Sequence, residues 1–213
     1  MKTDDLVSLL ATGLTPVPRH AAAQRLALAL AVGLAAGMAL MVLGYGIRPD
    51  LAEAAGQPMF WVKLLVPAAI ACAGLLATQR LARPGVSAGL SWLGVLLPVA
   101  GLWVLGAMVW QAAPAPARPA LLWGSTWTTC ALGIAAFSLP TFAGALLALR
   151  SLAPTQAKAA GAAAGALAGG LGATVYALHC SELAAPFLAV WYVAGMAIPV
   201  LAGALLGPRC LRW

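Results

Sequence analysis

Tyr176-Ala-Leu-His-Cys-Ser-Glu-Leu-Ala-Ala-Pro-Phe-Leu-Ala-Val-Trp-Tyr192 is a short polar turn pinned between two long apolar runs. Most polar side chains able to do chemistry are here: His179, Cys180, Ser181 and Glu182. The flanking runs, about 159–178 and 185–206, approach the roughly 20 residues an apolar helix needs to cross a bilayer. Four more such runs precede them, at about 26–45, 59–78, 86–110 and 127–149. The 213 residues are 63% apolar and 8% charged. A soluble domain carries about a quarter charged residues, so the solvent for most of this chain is lipid. The predicted fold class is all-α, a polytopic membrane protein with six transmembrane helices. Residues 1–23 are expected to form a cytoplasmic amino-terminal arm and 24–213 the transmembrane domain. A cleaved leader is not expected, because Asp4, Asp5, Pro16, Pro18 and Arg19 come before the first apolar run.

The net charge of +7 does not point to nucleic acid. The basic residues stand singly at the ends of apolar runs, as topology signals do. With the amino terminus inside, Lys2, Arg19, Arg25, Arg80, Arg83, Arg150, Lys158, Arg209 and Arg212 are cytoplasmic. Arg48, Lys63 and Arg118 lie outside or near it. Both termini are therefore expected in the cytoplasm, with loops 46–58, 111–126 and 179–184 outside, in a multi-pass protein of a bacterial inner membrane. Lys63 is expected to snorkel to the outer interface; the alternative is a pairing with Glu182, Asp50 or Glu53. Trp61, Trp110, Trp123, Trp127, Trp191 and Trp213 read as interfacial anchors. Residues 112–119 read as a stiff extended loop.

The fifth run is almost all Ala and Gly, with Gly161, Gly165 and Gly169 at four-residue spacing. Such a helix belongs at the centre, with neighbours against its backbone. At the other extreme, residues 3–12 read as a short amphipathic helix. Thr3 is the N-cap, and Asp4 and Asp5 lie in the first turn, where the helix dipole favours negative charge. Leu6, Leu9 and Leu10, with Val7, share a face, and Gly13, Pro16 and Pro18 end the helix. A helix this short is marginal alone. Its apolar face needs a surface, either bilayer or protein.

Of the four cysteines, Cys72 reads as a packing residue and Cys210 as a reduced cytoplasmic thiol. Cys130 and Cys180 come to the same depth on the same outer face. Two readings stay open for them. They are either coincidental small residues or a pair able to form a disulfide or hold a soft metal, with His179 and Glu182 placed to add ligands or tune a thiolate. There is no C-x-x-C, P-loop or H-E-x-x-H, and no intramembrane carboxylate pair. No enzyme activity and no cofactor are expected. A transporter needs ionisable groups along a path, and the apolar runs hold only Lys63. The alternative function is a small transport or metal-uptake protein with Cys130, Cys180 and His179 as an outer capture site. A structural subunit of a larger membrane complex is a third reading.

A family resemblance rests on particular residues. They are Thr3-Asp-Asp-Leu6-Val-x-Leu-Leu10, Phe60-Trp-x-Lys63-Leu, Trp127-x-x-Cys130, His179-Cys-x-Glu182, Ala185-Pro-Phe187, Trp191-Tyr192 and Gly207-Pro-Arg209-x-x-Arg212-Trp213. In these the whole chain resembles the NrsF family, "negative regulator of sigma F", six-helix inner-membrane anti-sigma factors. The resemblance implies a protein that holds an extracytoplasmic-function sigma factor at the membrane and releases it on oxidative or heavy-metal stress. It implies Cys130 and Cys180 as the sensing pair, with His179 and Glu182 auxiliary. It also implies an arm, Asp4, Asp5, Leu6, Leu9 and Leu10, that contributes to sigma-factor binding. The partners expected are that sigma factor and the lipid bilayer, with no direct nucleic-acid contact.

Overall fold

The computed structural model describes residues 3–12 and 21–212, and among them it is all helical. Expectations for Lys2, Gly13, Pro16, Pro18, Arg19 and Trp213, and for the side chain of Leu10, lie outside the described residues. The order is α1 (Thr3–Ala11), α2 (Ala21–Gly44), α3 (Leu51–Ala55), α4 (Pro58–Leu81), α5 (Ser91–Ala112), α6 (Arg118–Trp123), α7 (Trp127–Arg150) and α8 (Ala157–Tyr176). The last helix, α9, runs Ala185–Cys210 and contains one π-helical turn, Leu188–Tyr192. Six of these, α2, α4, α5, α7, α8 and α9, are long and apolar enough to cross a membrane.

Local chemistry sets the helix limits. Pro58 opens α4, where a missing N–H costs nothing. Gly124, at φ +52°, supplies the left-handed bend from α6 into α7. The expected extended stretch at 112–119 is short. Ala113 and Pro114 are extended, and then the chain coils through a 3₁₀ turn, Ala115–Ala117, into α6. The Arg118 guanidinium drives this by donating to the carbonyl oxygens of Ala113 (3.1 Å) and Gln111 (3.3 Å). Prolines early in each turn are compatible with it. Helix α3 was not expected from the sequence.

α8 is the hub. Of its most apolar window 78% is buried, against 11% for α5, so α8 is central and α5 peripheral. Its neighbours are α9, α4 and α7, and glycines let their backbones come close. A Cβ at Gly165 would run into the Pro199 carbonyl of α9. One at Gly170 would meet Pro67 O of α4 at 2.6 Å, and one at Gly172 would meet Ile134 O of α7 at 2.7 Å. Polar side chains inside the bundle bond their own helices: Thr78 Oγ1 to Gly74 O (2.7 Å), Ser138 Oγ to Ala135 O (2.6 Å) and Thr174 Oγ1 to Gly170 O (2.8 Å). Cys72, expected to pack, is instead exposed. It borders an apolar groove of about 290 Å³ between α2 and α4.

The up-and-down course puts loops 45–57, 113–126 and 177–184 at one end. The turns at 82–90 and 151–156 lie at the other, with Arg80, Arg83, Arg150, Lys158, Arg209 and Arg212 near them. Arg25 Nη1 donates to Ser151 O (3.3 Å), which places the start of α2 at this basic end. The face of α1 that carries Leu6, Val7 and Leu9 is exposed.

Overpacking a closed core typically costs about 1–3 kcal/mol. Gly165→Val should therefore lower the melting temperature and shift purified protein towards aggregate in size exclusion. Gly101→Ala, with open space where its Cβ would go, should leave melting unchanged or raised.

Candidate functional site: a closed thiol pair under the 177–184 turn

Cys130 lies in the first turn of α7, its N–H donating to Thr126 O (2.9 Å). Cys180 ends the turn that continues α8, its N–H donating to Tyr176 O (3.0 Å). Both side chains are buried, at 0% and 1% exposure. Both are free thiols of one buried cluster, close enough for the Cys130 thiol to act on that of Cys180. The two segments that bring sulfur to one depth also bring it into contact.

The turn is held from two sides by cations. Lys63, on the second turn of α4, is 2% exposed. Its Nζ donates to the carbonyl oxygens of Cys180 (2.5 Å) and Glu182 (2.8 Å) and stands 5.4 Å from the centre of the Tyr192 ring. This corrects the snorkelling expectation. The 177–184 turn folds down over the ammonium and supplies acceptors in place, so the side chain gains nothing by reaching for water. None of the three carboxylates expected as partners is its hydrogen-bond acceptor. Asp50 belongs to Arg48, a bidentate pair at 2.7 and 2.6 Å, and Arg48 Nη1 also donates to Cys180 O (3.2 Å). The Arg48 N–H closes the latch on Leu178 O (3.1 Å). This pairing lowers the Asp50 carboxyl to about 2 and raises Arg48.

The groups around the Cys180 sulfur are donors. The Cys130 thiol, the Lys63 ammonium and the Glu182 backbone N–H lie near enough to favour its charged form. Thr126 Oγ1 is 3.9 Å away. The buried Tyr192 hydroxyl faces it without a regular hydrogen-bond partner. The neighbouring Cys130 thiol, followed by the nearby Lys63 charge, holds the Cys180 thiol well below its ordinary value despite its burial.

The two auxiliary residues sit differently from expectation. His179 turns away from the sulfurs, with Nδ1 3.0 Å from Gly46 O and its ring edge-on to Tyr45 at 5.1 Å. Because a carbonyl can only accept, Nδ1 carries the proton. The Glu182 carboxylate accepts from Ser125 N–H (2.7 Å) and Ser125 Oγ (2.6 Å) and fixes the bend before α7. It is the backbone of Glu182 that meets the thiol site. Among the described residues no group of three or more His, Cys, Asp or Glu is arranged to hold a metal ion. Trp123, Trp127 and Trp191, expected as separate anchors, form one cluster with ring centres 4.9–5.6 Å apart, and Trp191 Nε1 donates to Leu122 O (2.9 Å).

Sequence reasoning found both thiols and missed Lys63, Arg48, Thr126 and Tyr192 as their surroundings. The available signal was an ionisable residue inside an apolar run, which is costly unless it has a task.

Fold and site together define a six-helix protein suited to a membrane, with a closed thiol pair at one end and a basic rim at the other. The chain belongs to the family described as "Negative regulator of sigma F", NrsF, whose model matches residues 10–213. It is 45% identical to the Azospira oryzae protein named "Probable anti-sigma-F factor NrsF" and 40% identical to the Caulobacter vibrioides "Anti-sigma-F factor NrsF", in both cases over the full length of each chain. No solved structure matches it.

Asp50→Asn should free Arg48 and speed amide exchange at Arg48 and across 178–182, read by mass spectrometry. In the wild type the Asp50 contribution is present above its ordinary value of 3.8 and is lost as pH falls through about 2. A carbon-13 titration of the Asp50 carboxyl should therefore be flat from neutral pH down to that range.

Proposed function

We propose that this protein is an anti-sigma factor of the bacterial inner membrane. It holds an extracytoplasmic-function sigma factor at its cytoplasmic face and releases it when Cys130 and Cys180 are oxidised or bound by a soft metal. The names of its full-length relatives support the anti-sigma role. One observation carries the sensing role: two cysteines from separate segments are buried in contact at one end of the bundle. The basic rim at the other end supports an orientation with both termini inside and the thiols towards the periplasm. There the compartment is oxidising.

Residues 1–23 are the arm and 24–213 the membrane domain. The exposed Leu6 and Leu9 face, with Leu10, gives a sigma factor an apolar strip, and Asp4 and Asp5 flank it. Changing the covalent or ligand state of Cys130 and Cys180 shifts α7 relative to α8. Because packed cores are bistable rather than elastic, the shift reaches the basic end through rigid helices. A stimulus moves this balance only by interacting differently with the two packings. No catalytic step is needed. The metal-uptake reading would need further ligands deeper in the bundle, and Cys72, the thiol available for that, faces outward.

In cells carrying a sigma-dependent reporter, Cys130→Ser and Cys180→Ser should each change induction by peroxide or cadmium. Unchanged induction in both would reject the thiols as the sensor. Separately, Leu6→Asp with Leu10→Asp should abolish co-purification of the sigma factor while the variant stays in the membrane fraction. Retained co-purification would move the binding site to the basic turns.

A further inference from the structure

A charge count around the thiols leaves one cation unmatched. Arg48 and Asp50 neutralise one another. The Glu182 carboxylate is committed to Ser125. Lys63 remains, buried, with two carbonyls and the face of an aromatic ring for company. A buried ammonium of this kind calls for a compensating negative charge. The facing groups that can carry one are Cys180, Cys130, Tyr192 and, from α8, Tyr176. Of these, thiols ionise most readily. The Cys180 sulfur is moreover ringed by donors from four places: Lys63 of α4, Thr126 and Cys130 at the start of α7, the Glu182 amide of the turn, and Tyr192 of the π-helical turn. A neutral thiol is a weak acceptor for these groups, with Lys63 keeping its two carbonyls in either state. A thiolate uses them, and it gives the orphaned Tyr192 hydroxyl an acceptor.

The geometry points to a resting state in which Cys180 and Cys130 form a hydrogen-bonded thiolate–thiol pair, with Lys63 as its counter-ion. This rests on the sensing reading above and says what the sensor registers. A hydroperoxide attacked by the Cys180 thiolate gives a sulfenic acid and an alkoxide or hydroxide. The Cys130 thiol then condenses with the sulfenic acid, water leaves, and a disulfide forms. Two electrons have passed to the peroxide, and the one negative charge of the pair has gone. Lys63 is left uncompensated against a neutral disulfide, and the contact between α4 and the outer turn loses its main attraction. The event reported is therefore loss of charge as well as a new bond, and Lys63 is the positioning residue that reads it.

The test uses the full chain in lipid nanodiscs, with Cys72 and Cys210 changed to Ser, and counts S–H stretches by infrared difference against Cys130→Ser/Cys180→Ser. At neutral pH the parent should show one S–H oscillator and Lys63→Met two, while Lys63→Arg keeps one. Two S–H oscillators in the parent would overturn the proposal without recourse to any change at position 63. One oscillator in a folded Lys63→Met would overturn the role of Lys63. The reaction of the pair with peroxide should slow roughly tenfold or more in Lys63→Met. The reporter assay separates this from the reading beneath it. Serine variants that respond like wild type reject thiol sensing whatever the spectrum shows, whereas a wrong S–H count with altered serine variants rejects only the ion pair.

Discussion

An ammonium group buried inside a helix bundle must be given acceptors, and the thiol end of this protein is built around doing so. Lys63 takes the backbone carbonyls of Cys180 and Glu182. That requirement brings the 177–184 turn down onto α4 rather than letting it stand off from the bundle. The same descent carries the Cys180 sulfur under the surface and against Cys130. Burial of the thiols, contact between them and the position of the turn are thus consequences of one charge on α4. Arg48 reinforces the arrangement from the 45–50 loop by donating to the same Cys180 carbonyl. Its own charge is settled by Asp50, so Arg48 acts as a clamp and Lys63 as a charge still to be answered.

The clamp would do little in a compliant bundle. α8 makes the bundle stiff by a different device. Its glycines leave no side chain between its backbone and those of α9, α4 and α7, so neighbouring helices rest on main chain. Contacts of that kind have no rotamers to absorb a displacement. α7 spans 24 residues from the thiol end to Arg150, about 36 Å at helical rise. The π-helical turn at Leu188–Tyr192 adds a point where α9 can change register locally. It also carries Tyr192, whose ring faces Lys63 and whose hydroxyl faces Cys180. π-Helical turns of this sort gather at functional sites because they aim side chains that a regular helix would misdirect.

Much of the architecture was legible in the sequence because lipid imposes a simple rule on it. Apolar runs of one length, ended by single basic residues and prolines, give the six helices. The run of Gly161, Gly165 and Gly169 singled out α8 as the centre for the same reason that it is central. The environment of the site was not legible. Lys63 looks, one turn from an interface, like any lysine able to reach water; only the placement of the following turn denies it that route. His179 and Glu182 adjoin Cys180 in sequence and were natural candidates to assist it. In the fold their side chains turn to Gly46 and Ser125, because in a tight turn successive side chains diverge. The residues that do surround the sulfur are 117 positions upstream, at Lys63, 54 upstream, at Thr126, and beyond the turn at Tyr192. No local pattern links them.

In the proposed sensor, the closed state of the pair bears on which reagents it answers. At 0% and 1% exposure neither sulfur meets a large oxidant without movement of its cover. The cover on that side includes the turn itself and the nearby cluster of Trp123, Trp127 and Trp191, tied to α6 through Leu122. A small, soft or weakly charged reagent can follow a breathing motion of the turn that would exclude a folded thiol-exchange protein or a bulky disulfide. Selectivity in such a site comes first from size and charge of the reagent and only then from thiol chemistry. This fits two sulfurs placed beneath a lid rather than on an open surface.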